Sequence, residues 1–402
     1  MLPKEDATGL NSGETQETSR MSDDLSRRHI ISGMLAASGA TLLGGCGPDS
    51  SPTPTPAPNP SPTPFPTFTP SPTPTPTSSL PTADEMNRNT YDGRLFGPTS
   101  PWNTPIPATA NADPNSANMI ANLALAFTND ASFAIATDAT GYSVPIYYAD
   151  ASTSRVRVYA STTWWDDSTF TSVPMPPQAT PDPKADKHLV VWDVPNALLY
   201  EYWHMVKNVD GSWSAGAAVK FSATALGYQT GIWELSARAY GGSLAAGAIR
   251  YSEMTAGVIP HALAMSYQYT RGDYYARGTA SDGTVAIASH NDNVQDPARI
   301  NPYNIPEGAR LRLKPSVDIA ARAATKSGAS QVACQIIGEA LRTYGAYMVD
   351  YAGGPTFYAE NLQGKAVSWT GLLDTADSRP FLASDFEVLT LPNLTSSNLR
   401  GL

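Results

Sequence analysis

The sequence predicts a mainly β fold, a β-sandwich or jelly roll carrying two or three accessory helices. Three observations point there. After residue 82 the chain breaks into short segments that alternate apolar and polar side chains between turns rich in Gly, Pro, Asn and Asp. Only two or three stretches carry helical spacing, and long polar loops fill the remainder. No internal repeat of the kind a propeller needs is present, and the helices are too few for a TIM barrel.

The first 82 residues stand apart. Residues 1–20 are polar, and Met21 opens a second possible start. Arg27-Arg28 precede an apolar run from Ile30 to Leu43, too short to span a bilayer as a mature helix. The stretch Ser26 to Ile31 resembles a twin-arginine export signal. Leu43-Gly44-Gly45-Cys46 resembles the lipobox of bacterial lipoproteins, which implies lipidation at Cys46 and a membrane anchor there. Residues 1–46 are therefore assigned to a signal region. Residues 47–82 form a linker with proline at nearly every second position, which forbids ladders and favours polyproline II. Residues 83–402 are expected to be one exported, monomeric domain at the cell envelope or outside it.

Within that domain, Ser100–Ile106 reads as extended, with prolines on either side of Trp102. Asp113-Pro114 starts a helix with Met119, Ile120, Leu123 and Phe127 at helical spacing. Strands follow at Tyr142–Tyr148 and Ser154–Ala160. The adjacent Trp164 and Trp165 cannot both face inward on a strand. A proline-rich loop, Pro174–Lys187, then delivers the chain to HLVVWDVPNALLYEYWHMV (188–206). This is a hairpin turning at Pro195-Asn196, with Leu199, Glu201, Trp203 and Met205 on one face of its second strand. A second hairpin turns at Asn208–Gly211, and a long Gly/Ala-rich loop covers 222–248, in which Trp233, Glu234 and Arg238 stand out. Ser252–Gly257 is one capped helical turn. His261, Leu263, Met265 and Tyr267 share a face of the next strand. After the polar loop Tyr274–Arg299 come a strand at Ala309–Leu313, a helix from Ser330 ended by Gly345, and a strand Ala346–Tyr351. That strand places Asp350 on the face of Met348, and a last hairpin at Gly353-Gly354-Pro355 leads to Phe357–Glu360.

Composition excludes some functions. Among 402 residues the net charge is −10, with 26 Lys and Arg, so no basic stripe is available for nucleic acid. Nineteen tyrosines and eight tryptophans against 15% charged residues suit a carbohydrate-facing protein. No P-loop, dinucleotide fingerprint, nucleophile elbow or zinc motif occurs, and no cofactor is expected. Cys334, alone once Cys46 is lipidated, reads as a small buried hydrophobe.

What remains is carboxylates and histidines among aromatics. The expected function is degradation of an extracellular polysaccharide by a glycoside hydrolase. Glu201 is the expected general acid, raised in pKa by Trp203 and Leu199. Asp350 is the second carboxylate, with Asp193 or Glu234 as substitutes. His261, as a positioning group, and His188 complete the expected catalytic set, and Trp102, Trp165, Trp203, Tyr202 and Arg250 contact sugar. A polysaccharide lyase is the alternative, with His188, His204 or His261 and Tyr202 or Tyr267 as base and Arg250 or Arg271 neutralising a uronate. Two further readings are a metal site joining His188, Glu201 and His261, and a surface binder without catalysis. The stretches SPWNTPIP, HLVVWD, LYEYW, AGVIPHAL, PEGARLRL and YGAYMVD resemble a group of secreted bacterial and fungal proteins. That resemblance implies one secreted domain containing His188, Glu201, His261 and Asp350, and assigns no reaction.

Overall fold

The computed structural model describes residues 80–127, 133–231, 234–292 and 299–393. All lie in one compact unit, Leu80–Leu402. The signal region, Cys46 and the linker up to residue 79 lie outside the described residues, as does Trp233.

Two mixed sheets form the sandwich. Their strands in chain order are β1 (Ala134–Ala136), β2 (Val144–Ala149), β3 (Leu189–Asp193), β4 (Leu198–Trp203), β5 (Ala217–Ser222), β6 (Leu263–Tyr267), β7 (Arg310–Leu313), β8 (Ala346–Tyr351), β9 (Thr356–Tyr358), β10 (Glu360–Asn361) and β11 (Phe386–Val388). One sheet has the order β1-β9-β6-β8-β7-β11 and the other β5-β4-β3-β2-β10. Alternation along each strand gives every sheet two apolar faces. Val144, Ile146, Tyr148, Val190, Trp192 and Leu199 meet Ala264, Tyr347, Val349 and Tyr358 between the sheets. On the far side of the six-stranded sheet, Leu263, Met265, Met348 and Phe357 pack under helices. On the far side of the other, Tyr147, Val191, Tyr200 and Tyr202 pack with Val158 and Trp213 of a small outer sheet.

Among the described residues the helices are α1 (Ala83–Asn89), α2 (Ser116–Leu125), α3 (Tyr251–Ala256), α4 (Ile319–Ala323) and α5 (Gly328–Thr343). Three were legible in the pattern. The short α1 and α4 were not, because five to seven residues show too little periodicity. Helix α5 begins earlier than expected, with Ser327 at its N-cap position, and Gly345 follows it at φ 72°. A Cβ on Gly345 would stand 2.2 Å from the Leu311 carbonyl oxygen, so only glycine fits there.

Two expectations about strands change. Ser154–Ala160 is two short strands, Arg155–Val156 paired with Val173–Pro174 and Val158–Ala160 paired with Trp213–Ala215. The expected last hairpin is absent: β6 lies between β8 and β9, parallel to the first and antiparallel to the second.

Candidate functional site

The β3–β4 hairpin forms as the alternation requires, with Asn196 donating to both carboxylate oxygens of Asp193 across the turn (2.9 and 3.0 Å). Asp193 is thereby a turn cap, not a catalytic acid. Leu199, Glu201 and Trp203 face the inter-sheet core, and Tyr200 and Tyr202 face outward. The pattern stops at His204, whose φ of 51° turns the chain and sends Met205 to the outer side instead.

Glu201 is 0% exposed. Its carboxylate accepts from Ser243 Oγ (2.5 Å), Leu244 N (2.7 Å) and Ala245 N (3.1 Å). Burial raises its pKa to about 7, against these donors and Arg238. The expected rise is present, but the group is sealed off from substrate. It anchors the 243–245 loop, and its assignment as general acid does not hold.

The ionisable groups converge one step away. Ser266 on β6 pairs with Asp350 on β8, while Met265 pairs with Met348, so Val349 is an extra residue in a β-bulge. The bulge moves Asp350 off the face of Met348 and onto the inter-sheet face, correcting the alternation. There Asp350 Oδ2 lies 4.0 Å from Arg238 Nε. The Arg238 guanidinium carbon lies over the Tyr358 ring, 3.9 Å from its centroid; the residue is 3% exposed and has no hydrogen bond at any of its three guanidinium nitrogens.

His188 enters from the other sheet, just before β3. Its Nε2 lies 3.0 Å from the Ala237 carbonyl oxygen. A carbonyl can only accept, so Nε2 carries the proton and Nδ1 the lone pair. Burial lowers its pKa to about 4, the pull of Asp186 being offset by Arg238. Asp186 accepts from Trp203 Nε1 at 3.3 Å. Burial raises the Tyr358 hydroxyl, and the charges of Asp350 and Asp186 both add to the rise. Next to Asp350, Arg299 Nη2 lies 4.0 Å from Asp292 and 3.8 Å from the fully buried Glu307. Burial and the Asp292 charge hold the Glu307 carboxyl well above the usual range.

An aromatic stack reaches this cluster from the surface. Trp164, 58% exposed, lies parallel to Trp203 (17°, centroids 5.8 Å apart), and Trp203 stacks on His204 at 3.8 Å. A Cβ on Gly216 would come within 2.8 Å of the Trp203 ring. Trp165 turns inward instead, edge-on to Phe170, its Nε1 donating to the Ala215 carbonyl at 3.3 Å. The outer platform is therefore Trp164 and not Trp165.

The other expected site residues lie elsewhere. Trp102 is 1% exposed in a turn, edge-on to Tyr347 at 4.9 Å, and is core. Tyr202 is fully buried in the outer cluster. Arg250 is buried too, donating to the carbonyls of Tyr91 and Gly93 and to Tyr148 Oη, which ties the N-terminal segment down. His261 bonds Ala262 O through Nδ1 (2.8 Å) and Glu253 through Nε2, 3.0 Å from its nearer oxygen. Burial opposes its charge, but Glu253 prevails and the pKa rises, and His261 stays paired with Glu253 beside α3. Tyr267 Oη is occupied by Ile305 N, and Arg271 by Asp273. His188, Glu201 and His261 thus have separate partners and do not form the metal site considered. Among the described residues no group of three or more His, Cys, Asp and Glu is arranged to hold a metal. Cys334 is buried, its thiol raised to about 11 by that burial.

Of the four expected catalytic residues, Asp350 lies by Arg238 and His188 feels that cation's charge, while Glu201 and His261 are held by partners of their own. Asp186, Tyr358, Trp164 and the Arg299–Glu307 group were missed. Arg238 carried a signal, being a lone cation inside a Gly/Ala-rich run. No family model matches the chain, and no curated protein or solved structure matches it.

Proposed function

We propose that the protein is an exported enzyme that hydrolyses an extracellular polysaccharide between two carboxylates, Asp350 and Asp186. One observation carries this reading. Asp350 from one sheet lies by Arg238, Asp186 from the approach to the other is held by Trp203 of the Trp164–Trp203–His204 stack, and the charges of both acids bear on Tyr358. Glycoside hydrolysis needs one carboxyl to protonate the leaving oxygen and one to attack or to activate water. The stack offers flat apolar faces to sugar rings, and Trp203 holds Asp186 in place. Export, and anchoring through a lipid on Cys46, are supported by the residue patterns at 26–31 and 43–46.

The test incubates the chain with neutral and acidic polysaccharides and follows reducing ends together with absorbance near 235 nm, about where enoate products of proton abstraction absorb. Reducing ends without absorbance are expected. Asp350→Asn and Asp186→Asn should each cut turnover by about a hundredfold or more while melting near wild type. Wild-type rates in both variants would overturn the pair. A second reading, a lyase, is favoured by the His188 lone pair, which stands beside a cation suited to a uronate. It predicts absorbance rising in step with reducing ends. Binding without either signal would make the protein a surface lectin.

A further inference from the structure

We infer that a cavity walled by the 94–103 and 245–261 stretches is a receptor for a small organic carboxylate, with Arg94 as the group that receives it. The cavity holds about 300 Å³ counted out to its mouth, the low end of ligand-pocket sizes. It gathers Trp102, Arg250 and His261, three residues that stood out in the sequence and that the Asp350–Asp186 pair leaves unused. Neither of those acids lines it, so the inference does not rest on the cleavage proposed above.

Arg94 lines the cavity and is exposed, so a ligand meets it directly from solvent. Its Nη2 donates to the carbonyls of Pro260 (3.2 Å) and Asn103 (3.4 Å). These contacts steady the guanidinium, and among the described residues its Nε and Nη1 have no hydrogen bond. Two buried donors on lining residues are also without partners, Trp102 Nε1 and Arg250 Nε. The one acid of the lining, Glu253, is already engaged by His261 Nε2 and by Arg250 N (3.0 Å). The wall is thus rich in donors and short of negative charge, and an anion answers both.

The rest of the lining selects the kind of anion. Leu95, Phe96, Trp102 and Ala248 give it apolar surface, which suits a ligand with a carbon body better than phosphate. The planar fork of Arg94 matches a planar carboxylate. Phe96 is held at φ 67°, a costly conformation for a bulky residue and the kind of local strain that gathers at ligand clamps.

Calorimetric titration of the chain with acetate, glucuronate, glucose and inorganic phosphate tests this. The indole N–H resonance of Trp102, identified by its loss in Trp102→Phe, is recorded alongside. Glucuronate should bind wild type and move that resonance, with glucose and phosphate about tenfold or more weaker, since hydrogen bonds to a charged partner are the stronger kind. Acetate binding as well means that the acid group suffices, and glucuronate alone means that the sugar body is read too; either supports the inference. Arg94→Gln should lose about tenfold or more in carboxylate affinity while melting near wild type, because the side chain is exposed. Arg94→Lys, which keeps the charge without the fork, should recover only part of that loss. Should Trp102→Phe fail to fold, the Arg94→Gln titration decides alone. The inference is overturned if no carboxylate binds, if phosphate binds as tightly, if binding leaves the Trp102 resonance in place, or if Arg94→Gln keeps the wild-type affinity.

Discussion

Glu201 shows how far a single residue can be read. Its apolar neighbours give away the raised pKa, but not the three donors that close over it, because these arrive from residues 243–245 across the sheet. Glu201→Gln puts an N–H against Leu244 N–H or loses a bond elsewhere, and should cost about 1–3 kcal/mol of stability. The pH dependence follows from the direction of the shift. A carboxyl raised from 4.5 to about 7 contributes stability that is fully present below 4.5 and lost as pH rises through 7. His188, lowered from 6.5 to about 4, works oppositely, its contribution being complete above 6.5 and lost as pH falls toward 4. Melting curves from pH 4 to 8 should therefore lose their alkaline-side decline in Glu201→Gln and keep their acid-side decline. A variant with the full alkaline-side decline would refute the assignment.

At the scale of elements, two irregularities build the site. The bulge at Val349 turns Asp350 inward, and the positive φ of His204 ends β4 so that its ring lies against Trp203. Gly216, at the edge of β5, lets Trp203 lie flat there, and a Cβ would meet the ring at 2.8 Å. Gly216→Ala should thus displace Trp203, destabilise the fold by about 1–3 kcal/mol as overpacking does, and weaken glycan binding. Unchanged affinity in that variant, measured by titration, would remove the stack from the site. Regular strands were legible because alternation is a local property: the faces of β4 and β6 fall where residues 199–203 and 263–267 place them. The bulge was not, because an extra residue is defined only by the partner strand. The same reason hid the order β9-β6-β8, which no turn residue encodes.

For the whole molecule, composition and segment length were enough to give a mainly β sandwich, and the two packed sheets bear this out. Composition could not say which end of the sandwich does chemistry. That is decided by long-range meetings, with Arg238 from the 222–248 loop beside Asp350 on one sheet and its charge felt by His188 at the start of the other. The inter-sheet core isolates Glu201, while Asp350 is partly open. The most direct test of this placement is a side-by-side turnover measurement of Asp350→Asn and Glu201→Gln on one cleaved glycan, each corrected for its folded fraction. The account predicts near-complete loss in Asp350→Asn and wild-type turnover per folded molecule in Glu201→Gln. Loss in Glu201→Gln with activity kept in Asp350→Asn would contradict it and return the catalytic acid to β4.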